Sequence, residues 1–417
     1  MIENYVNDIA SRSRSAAAAL RTVSAELRNV ALEKIAQKLI DQTPAILKEN
    51  ALDLEAAKSM DLSDAMMDRL TLTEDRVAGM AQAVREIADF ADPLNRTLDS
   101  YETKDGLQIE KRSVAIGSIL FIYESRPNVT IDGAALCLKS GNAVILRGGK
   151  ESLKSSKILV DIVREVLTEV GIHVDAVQLI DNPDRQIVNL LLVKDGELDL
   201  VIPRGGEGLI RFVAENSRVP VIKHYKGLCH VYIDKNADME MASNIAMNAK
   251  THRPGVCNAM ETILLDKELE MNKTLEVLKA MQKAKVELWA DQATADLLGD
   301  IVKVHENPYH TEYLDYHLSV CLVDGVDGAI EHIQTYGSGH TEAVVSKDKK
   351  IQDRFLASVD SSSVMINAST RFADGGMYGL GAEVGISTDK LHARGPMGVE
   401  SLTSYKWVVR GEGHVRQ

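Results

Sequence analysis

Between residues 114 and 222 the chain repeats one pattern: a short, wholly apolar run, then a longer helical stretch. No other feature constrains the fold as much. Residues 114–122 read as a strand and 129–138 as a helix closing near Gly141. Residues 143–146 read as a buried strand and 153–170 as an amphipathic helix capped by Gly171. Strands at 176–180, 198–202 and 219–222 continue the pattern. A strand apolar on both faces must be covered on both faces, which implies a parallel sheet between layers of helices. Such sheets bind ligands beyond the carboxyl ends of their strands.

Near Gly227 the rhythm restarts, with a helix over 237–249, a loop carrying Cys257, and strands at 262–265, 319–323, 343–346 and 363–366. This predicts a second α/β domain. Ahead of both, the first hundred residues read as helices: Leu20, Val23, Leu27, Ala31, Ile35 and Leu39 step by three and four along one apolar stripe. Pro44 after Thr43 suits a further helix start. The Asp105-Gly106 pair between alternating segments signals a hairpin. Residues 405–409 read as a strand able to join that hairpin or a neighbouring subunit.

The formal net charge of −13 excludes a general nucleic-acid binder or a reader of anionic membranes, because phosphate backbones select basic surfaces. It leaves room for a small anion held by local arginines. No apolar run approaches the length of a membrane span, and no signal-peptide pattern is visible at the start. Four cysteines (Cys137, Cys229, Cys257 and Cys321) are widely spaced and include no CxxC pair. That pattern predicts reduced thiols in a cytoplasmic protein, without a disulfide frame or a metal site.

Six segments carry candidate chemistry. Cys257 lies in Arg253-Pro254-Gly255-Val256-Cys257-Asn258-Ala259, where loop amides and a cation such as Arg253 would favour thiolate. The competing reading is a buried structural cysteine, and for Cys137, Cys229 and Cys321, all in apolar runs, that core reading stands. Glu124-Ser125-Arg126-Pro127-Asn128 and Arg147-Gly148-Gly149-Lys150 end successive strands on one sheet edge. An amide such as that of Asn128 suits an oxyanion, while Arg147 and Lys150 suit ribose and phosphate oxygens. Each is otherwise a cap or a turn. Gly205 and Gly206, between a strand and a helix, let a pyrophosphate approach backbone N–H groups. The last two are Gly337 to Glu342, which includes His340, and Asn367-Ala368-Ser369-Thr370-Arg371-Phe372, whose hydroxyls and arginine suit a carboxylate.

Taken together and in this order, residues 122–130, 253–259, 339–342, 367–372 and 392–398 resemble the γ-glutamyl phosphate reductase family of the aldehyde dehydrogenase superfamily. The resemblance runs over essentially the whole chain. It implies an aldehyde-dehydrogenase-like α/β fold of two Rossmann-like domains with parallel sheets and a small β oligomerisation element. On that basis residues 1–226 form the NADP-binding domain, with hairpin 99–113 as part of the oligomerisation element. Residues 227–395 form the catalytic domain, and 396–417 a C-terminal return and strand.

The family carries its nucleophile at the position of Cys257 and the superfamily its oxyanion amide at that of Asn128. Arg147 stands where a lysine contacts the adenosine ribose, and Glu312 where a glutamate holds the nicotinamide ribose. Arg126, His340, Ser369, Thr370 and Arg371 are the implied substrate contacts. The implied reaction is NADPH-dependent reduction of L-glutamyl 5-phosphate to the semialdehyde in proline biosynthesis. The implied partners are a second copy of the chain, giving at least a dimer, and glutamate 5-kinase by functional association.

One departure from the superfamily is informative. Hydrolytic aldehyde dehydrogenases, the alternative NAD(P)-using reading, carry a glutamate in a Glu-Leu-Gly-Gly segment that activates water. Here the corresponding stretch is His224-Tyr225-Lys226-Gly227. Loss of that base suits an enzyme whose acyl group must be kept from water, and a packed histidine is the expected role of His224.

Overall fold

The computed structural model describes residues 2–60, 62–380 and 382–416. The chain opens with α1 (Ile2–Leu20), α2 (Ala25–Asp41), α3 (Thr43–Ala57), α4 (Asp64–Leu70) and α5 (Glu74–Asp89). The apolar stripe seen in sequence is therefore cut after Leu20. Ser24 restarts the helix, its side chain accepting the N–H of Leu27, and hydrophobic periodicity does not register such a break. Pro44 sits at the start of α3, as expected.

Next come β1 (Thr97–Glu102) and β2 (Gln108–Ala115), the antiparallel hairpin around Asp105-Gly106. Then follow β3 (Ser118–Tyr123), α6 (Pro127–Lys139), β4 (Ala143–Arg147), α7 (Leu153–Val170), β5 (Val177–Leu179), α8 (Arg185–Leu191), β6 (Leu200–Arg204) and α9 (Glu207–Asn216). These four strands form one parallel sheet in the order β5-β4-β3-β6. Every residue of β3 is buried, which accounts for its unbroken apolar run. The expected strand at 219–222 is reduced to a single bridge between Val201 and Val221. Val219 and Ile222 are buried there without a ladder, so burial alone produced that apolar run.

The second half contains β7 (Cys229–Ile233), α10 (Met239–Thr251), β8 (Met260–Asp266), α11 (Met271–Lys283), β9 (Glu287–Ala290), α12 (Gln292–Leu298) and β10 (Lys303–Val304). It continues through β11 (His317–Val323), α13 (Gly325–Tyr336), β12 (Thr341–Val345), α14 (Lys349–Ser358) and β13 (Ser363–Ile366). Its seven strands lie parallel in the order β10-β9-β11-β8-β7-β12-β13.

A small ribbon of β14 (Gly385–Ser387) and β15 (Gly395–Met397) leads to β16 (Thr403–Arg410), which pairs antiparallel with β2. The tail therefore joins the early hairpin of its own chain. Val384, Ala393, Met397 and Leu402 pack into the same core as the first sheet. The return to that core thus begins before the expected boundary at 396, because the ribbon buries its apolar residues against the first sheet.

Candidate active site

The two parallel sheets meet with opposite polarity. The first presents the carboxyl ends of β3, β4 and β6, since Ile122 pairs with Arg147 and Tyr123 with Arg204 at the last positions of the ladders. The second presents the segments that enter β7, β8 and β12. Cys257 lies in the turn between α10 and β8, half-buried. Gly227 backs that turn so closely that a Cβ there would stand 1.9 Å from the Cys257 carbonyl oxygen, leaving no side chain possible. Buried Cys229 donates its S–H to the same carbonyl at 3.2 Å. The core assignment of Cys229 holds, and it also braces the Cys257 turn. Cys137 is fully buried, whereas Cys321 is only half-buried.

Two further bonds tie the turn to its surroundings. The Asn258 amide donates to Ala373 O at 2.9 Å, fastening the loop that carries Arg371. Glu312 accepts the N–H of Gly227 at 2.8 Å, beside the turn. Its own loop is held by buried Glu261, which accepts the N–H groups of Tyr313 and Leu314, each at 3.2 Å. Lys250 completes this layer with an ion pair to Glu261 at 3.2 Å, neither side chain more than 1% exposed.

Burial pushes the Cys257 thiol up to about 11. Arg204 is the cation that pulls against this, while Glu383 and Glu312 add to the rise. The resting side chain is therefore a thiol. Arg253, expected to favour thiolate, is exposed; Arg204, arriving from the end of β6, is the cation that acts most on the thiol. Arg204 directly precedes Gly205 and Gly206, and nothing in its local sequence marks it as a neighbour of Cys257.

Four arginines gather at the turn: Arg253 in its own segment, Arg204 and Arg371 in electrostatic reach of Cys257, and Arg126 beside Arg204 and Arg253. Desolvation first, then repulsion from Arg69, Arg204 and Arg253, lowers the pKa of Arg126. Arg371 is lowered by burial and by Arg253, with Asp374 opposing, and its Nε is buried without a partner. Among the described residues, none of the four guanidinium groups forms an ion pair within 4.0 Å.

The remaining expected residues fall at varied distances from this centre. Asn128 is in the first turn of α6, and its amide donates to Asp132 at 3.1 Å rather than to the Cys257 turn. Asp132 is raised to about 6 by burial, opposed by Asn128 and Arg204. Arg147 donates to the carbonyls of Gly148 and Pro183, its Nε buried and unpartnered. Lys150 is exposed one turn further on. Gly205 and Gly206 form the β6–α9 junction, where Glu124 accepts the Gly206 N–H at 3.0 Å.

Three of the expected substrate contacts are buried. His340 has no exposed surface; it packs against Cys229 and Thr341 and edge-on to His224, so it supports the site from below. The Ser369 hydroxyl accepts the N–H of Arg371, and Thr370 is fully buried with its hydroxyl unpartnered. Of that loop's three candidates, Arg371 alone is partly exposed; the Ser369 hydroxyl caps the turn, while that of Thr370 is buried without a partner. His224 donates or accepts through Nδ1 only to a carbonyl, that of Ile386 at 3.0 Å, and so is the donor. Burial, aided by Arg204, pushes it down to about 4, which makes it a packed, neutral histidine.

Comparison with known proteins agrees with this architecture. Residues 3–298 match the model of the aldehyde dehydrogenase family. A γ-glutamyl phosphate reductase of Nitratiruptor sp. is 50% identical over 403 residues, covering 97% of this chain and 98% of its own. That of Rhodopirellula baltica is 48% identical over 409 residues, covering 98% and 94%. The crystal structure of γ-glutamyl phosphate reductase from Thermotoga maritima superposes with a TM-score of 0.97 at 41% identity, covering 99% of this chain and 100% of that one. The fold is that of the aldehyde dehydrogenases, and the chain belongs to their γ-glutamyl phosphate reductase family.

Proposed function

We propose that the chain reduces L-glutamyl 5-phosphate with NADPH to L-glutamate 5-semialdehyde and phosphate through a thioester on Cys257. The semialdehyde cyclises to pyrroline-5-carboxylate, which places the reaction in proline biosynthesis. The observation that carries this reading is the ring of arginines without ion pairs around the Cys257 turn. A substrate with an anion at each end uses such a ring, and a simple aldehyde does not.

In this mechanism Cys257 attacks the acyl carbon, with its own backbone N–H and Asn128 as donors to the oxyanion. Asn128 is oriented for this by Asp132. Arg126 and Arg371 hold the substrate, and the buried Ser369 and Thr370 shape the loop that presents Arg371. His224, neutral and bonded to Ile386, does not replace the missing water-activating glutamate.

The cofactor fit rests on the first sheet. Arg147 offers a buried, unpartnered Nε, Lys150 an exposed ammonium, and the start of α9 after Gly206 has no side-chain cap. These suit the ribose phosphate and pyrophosphate of NADP, with Gly205 allowing close approach and Glu312 available to a ribose hydroxyl. When bound, NADPH supplies the hydride that reduces the thioester.

The antiparallel sheet of β1, β2 and β16 leaves Tyr101, Tyr405, Trp407 and Val409 exposed on one face, and we assign that face to a second copy of the chain. Among the described residues no helix is long and apolar enough to cross a membrane. Four free cysteines fit a reducing cytoplasm. An acyl phosphate is short-lived, which favours supply by an associated glutamate 5-kinase.

The test is NADP⁺ reduction with pyrroline-5-carboxylate, with and without inorganic phosphate. Strictly phosphate-dependent turnover is expected, and Cys257→Ser should lower it by at least about several hundredfold. Turnover without phosphate would mean hydrolysis of the thioester and would overturn the proposal.

A further inference from the structure

The geometry points to Arg204, with Arg126 beside it, as the cradle for the phosphoryl group that leaves the acyl carbon and for the inorganic phosphate that results. This assignment rests on the reaction proposed above and divides the arginine ring by role. It gives the phosphoryl end of the substrate to the β6 side and leaves Arg371 to the carboxylate at the other end.

Three observations single out Arg204. It is the last residue of β6, level with Tyr123, at the edge facing the Cys257 turn. Its side chain passes over Gly385 of the β14–β15 ribbon, where a Cβ would meet its Cδ at 3.2 Å and its Nη1 at 3.3 Å. Glycine there leaves a channel for the arm, so the arm has a fixed course and not merely an open surface. The field of this guanidinium reaches Cys257, His224, Asp132, Glu383 and Arg126, yet none of the carboxylates forms an ion pair with it. Asp132 is engaged by Asn128, and Glu383 by the N–H of Gly375 at 2.9 Å. Each acid is thus committed to a different donor, and the guanidinium fork stays available to an anion from outside.

Position then decides which anion. The phosphoryl oxygen is bonded to the carbon that Cys257 attacks, so the cation acting most strongly on the sulfur is the one in reach of the phosphoryl group. Arg371 also lies within reach of Cys257, but Asp374 and Arg253 act on it more strongly, and the Asn258–Ala373 bond fastens the separate loop that carries it.

The proton balance fits the same placement. Sulfur forms a bond to the acyl carbon, the carbon–oxygen bond breaks, and the oxygen keeps the electron pair. The phosphate trianion so formed is strongly basic. The thiol proton of Cys257 is the one it takes, giving hydrogen phosphate without any further acid or base. A resting thiol, as burial imposes here, therefore delivers its proton where the leaving group needs it. Bidentate contact from Arg204 would strengthen as charge builds on the departing oxygens.

The experiment is the phosphate dependence of NADP⁺ reduction with pyrroline-5-carboxylate in the wild type, Arg204→Gln, Arg204→Lys and Arg371→Ala. Circular dichroism confirms the fold of each. Arg204→Gln should raise the KM for inorganic phosphate by at least about tenfold and change that for pyrroline-5-carboxylate by less than about threefold. Arg371→Ala should do the reverse. Arg204→Lys, which keeps the charge without the fork, should fall between wild type and Arg204→Gln, and it carries the test if Arg204→Gln does not fold.

An independent readout is protection of Cys257 from iodoacetamide by inorganic phosphate without cofactor, whose half-protecting concentration should rise in Arg204→Gln. An unchanged phosphate KM in a folded Arg204 variant overturns the assignment. So does a rise confined to the KM of pyrroline-5-carboxylate or of NADP⁺. Wild-type turnover that ignores phosphate would instead overturn the proposed reaction itself, a result distinct from either.

Discussion

The floor of the crevice and its rim hold their cations in opposite ways. Beneath the Cys257 turn, Lys250 is wholly buried and paired with Glu261, whose carboxylate also takes two backbone N–H groups from the loop bearing Glu312. Around the turn, Arg126, Arg204, Arg253 and Arg371 have no such partner among the described residues, although carboxylates lie nearby. A charge removed from water must be neutralised inside the protein, so the floor can tolerate a cation only as part of a closed network. A guanidinium that keeps some hydration needs no built partner and retains its hydrogen-bonding capacity for a ligand. The first arrangement suits stability and position, the second the binding proposed above.

The largest effect should come from opening the floor. Lys250→Met leaves the Glu261 carboxylate buried without its cation, at a cost of about 3–5 kcal/mol, read as a lower urea midpoint. The double substitution Lys250→Met/Glu261→Leu should recover much of that loss. A single substitution that left the midpoint unchanged would break the contrast between floor and rim. Arg371→Ala should behave oppositely. It should raise the KM for pyrroline-5-carboxylate by about ten- to a hundredfold while shifting stability by no more than about 0.5 kcal/mol. A matching loss of stability would move Arg371 from the rim to the structural group.

A smaller effect tests the electrostatics between the two layers. Burial lifts the Cys257 pKa to about 11, so its alkylation rate should still climb between pH 8 and 10 where an ordinary thiol levels off. Arg204→Gln should slow alkylation at fixed pH by about two- to fivefold, since it removes the cation that favours thiolate. A plateau near pH 8 would contradict the resting thiol.

The smallest effect lies far from the crevice, in the three-stranded sheet. Glu110 there is the floor network in miniature, binding Thr97, Arg112 and Arg410. Those hydrogen bonds draw its pKa down from 4.5 to about 2. Because the folded value is the lower one, the contribution is present above pH 4.5 and is lost as pH falls through about 2. Protection of the β2 and β16 amides from hydrogen exchange, taken relative to the intrinsic rate at each pH, should fall over that window in the wild type, and Glu110→Gln should show the lower protection already at pH 7. Equal exchange in both proteins at pH 7 would remove Glu110 from the role.

Much of the molecule was legible in the chain. Unbroken apolar runs such as that of β3 require cover on both faces, and they predicted parallel sheets. Asp105-Gly106 marked the hairpin, and the turn around Cys257 stood out because a cysteine in a polar, glycine-containing loop is unlike one in a core run. Failures have equally specific causes. The break after Leu20 depends on a local cap at Ser24, and the run at 219–222 is apolar because it is buried, without ladder partners. That Ser369 and Thr370 are buried while Arg371 is partly exposed was not legible either, because the sequence does not show which way a turn faces.

Sequence alone determined the αβ alternation, the family and the candidate thiol, since each is written in residues close together along the chain. Only the tertiary structure decided which cation acts on that thiol. Arg204, Gly385, Glu383 and Cys257 lie on segments far apart in sequence and come together where the carboxyl edge of one sheet meets the entering loops of the other. Electrostatic influence follows distance in space and the loss of water around the groups, and chain order records neither.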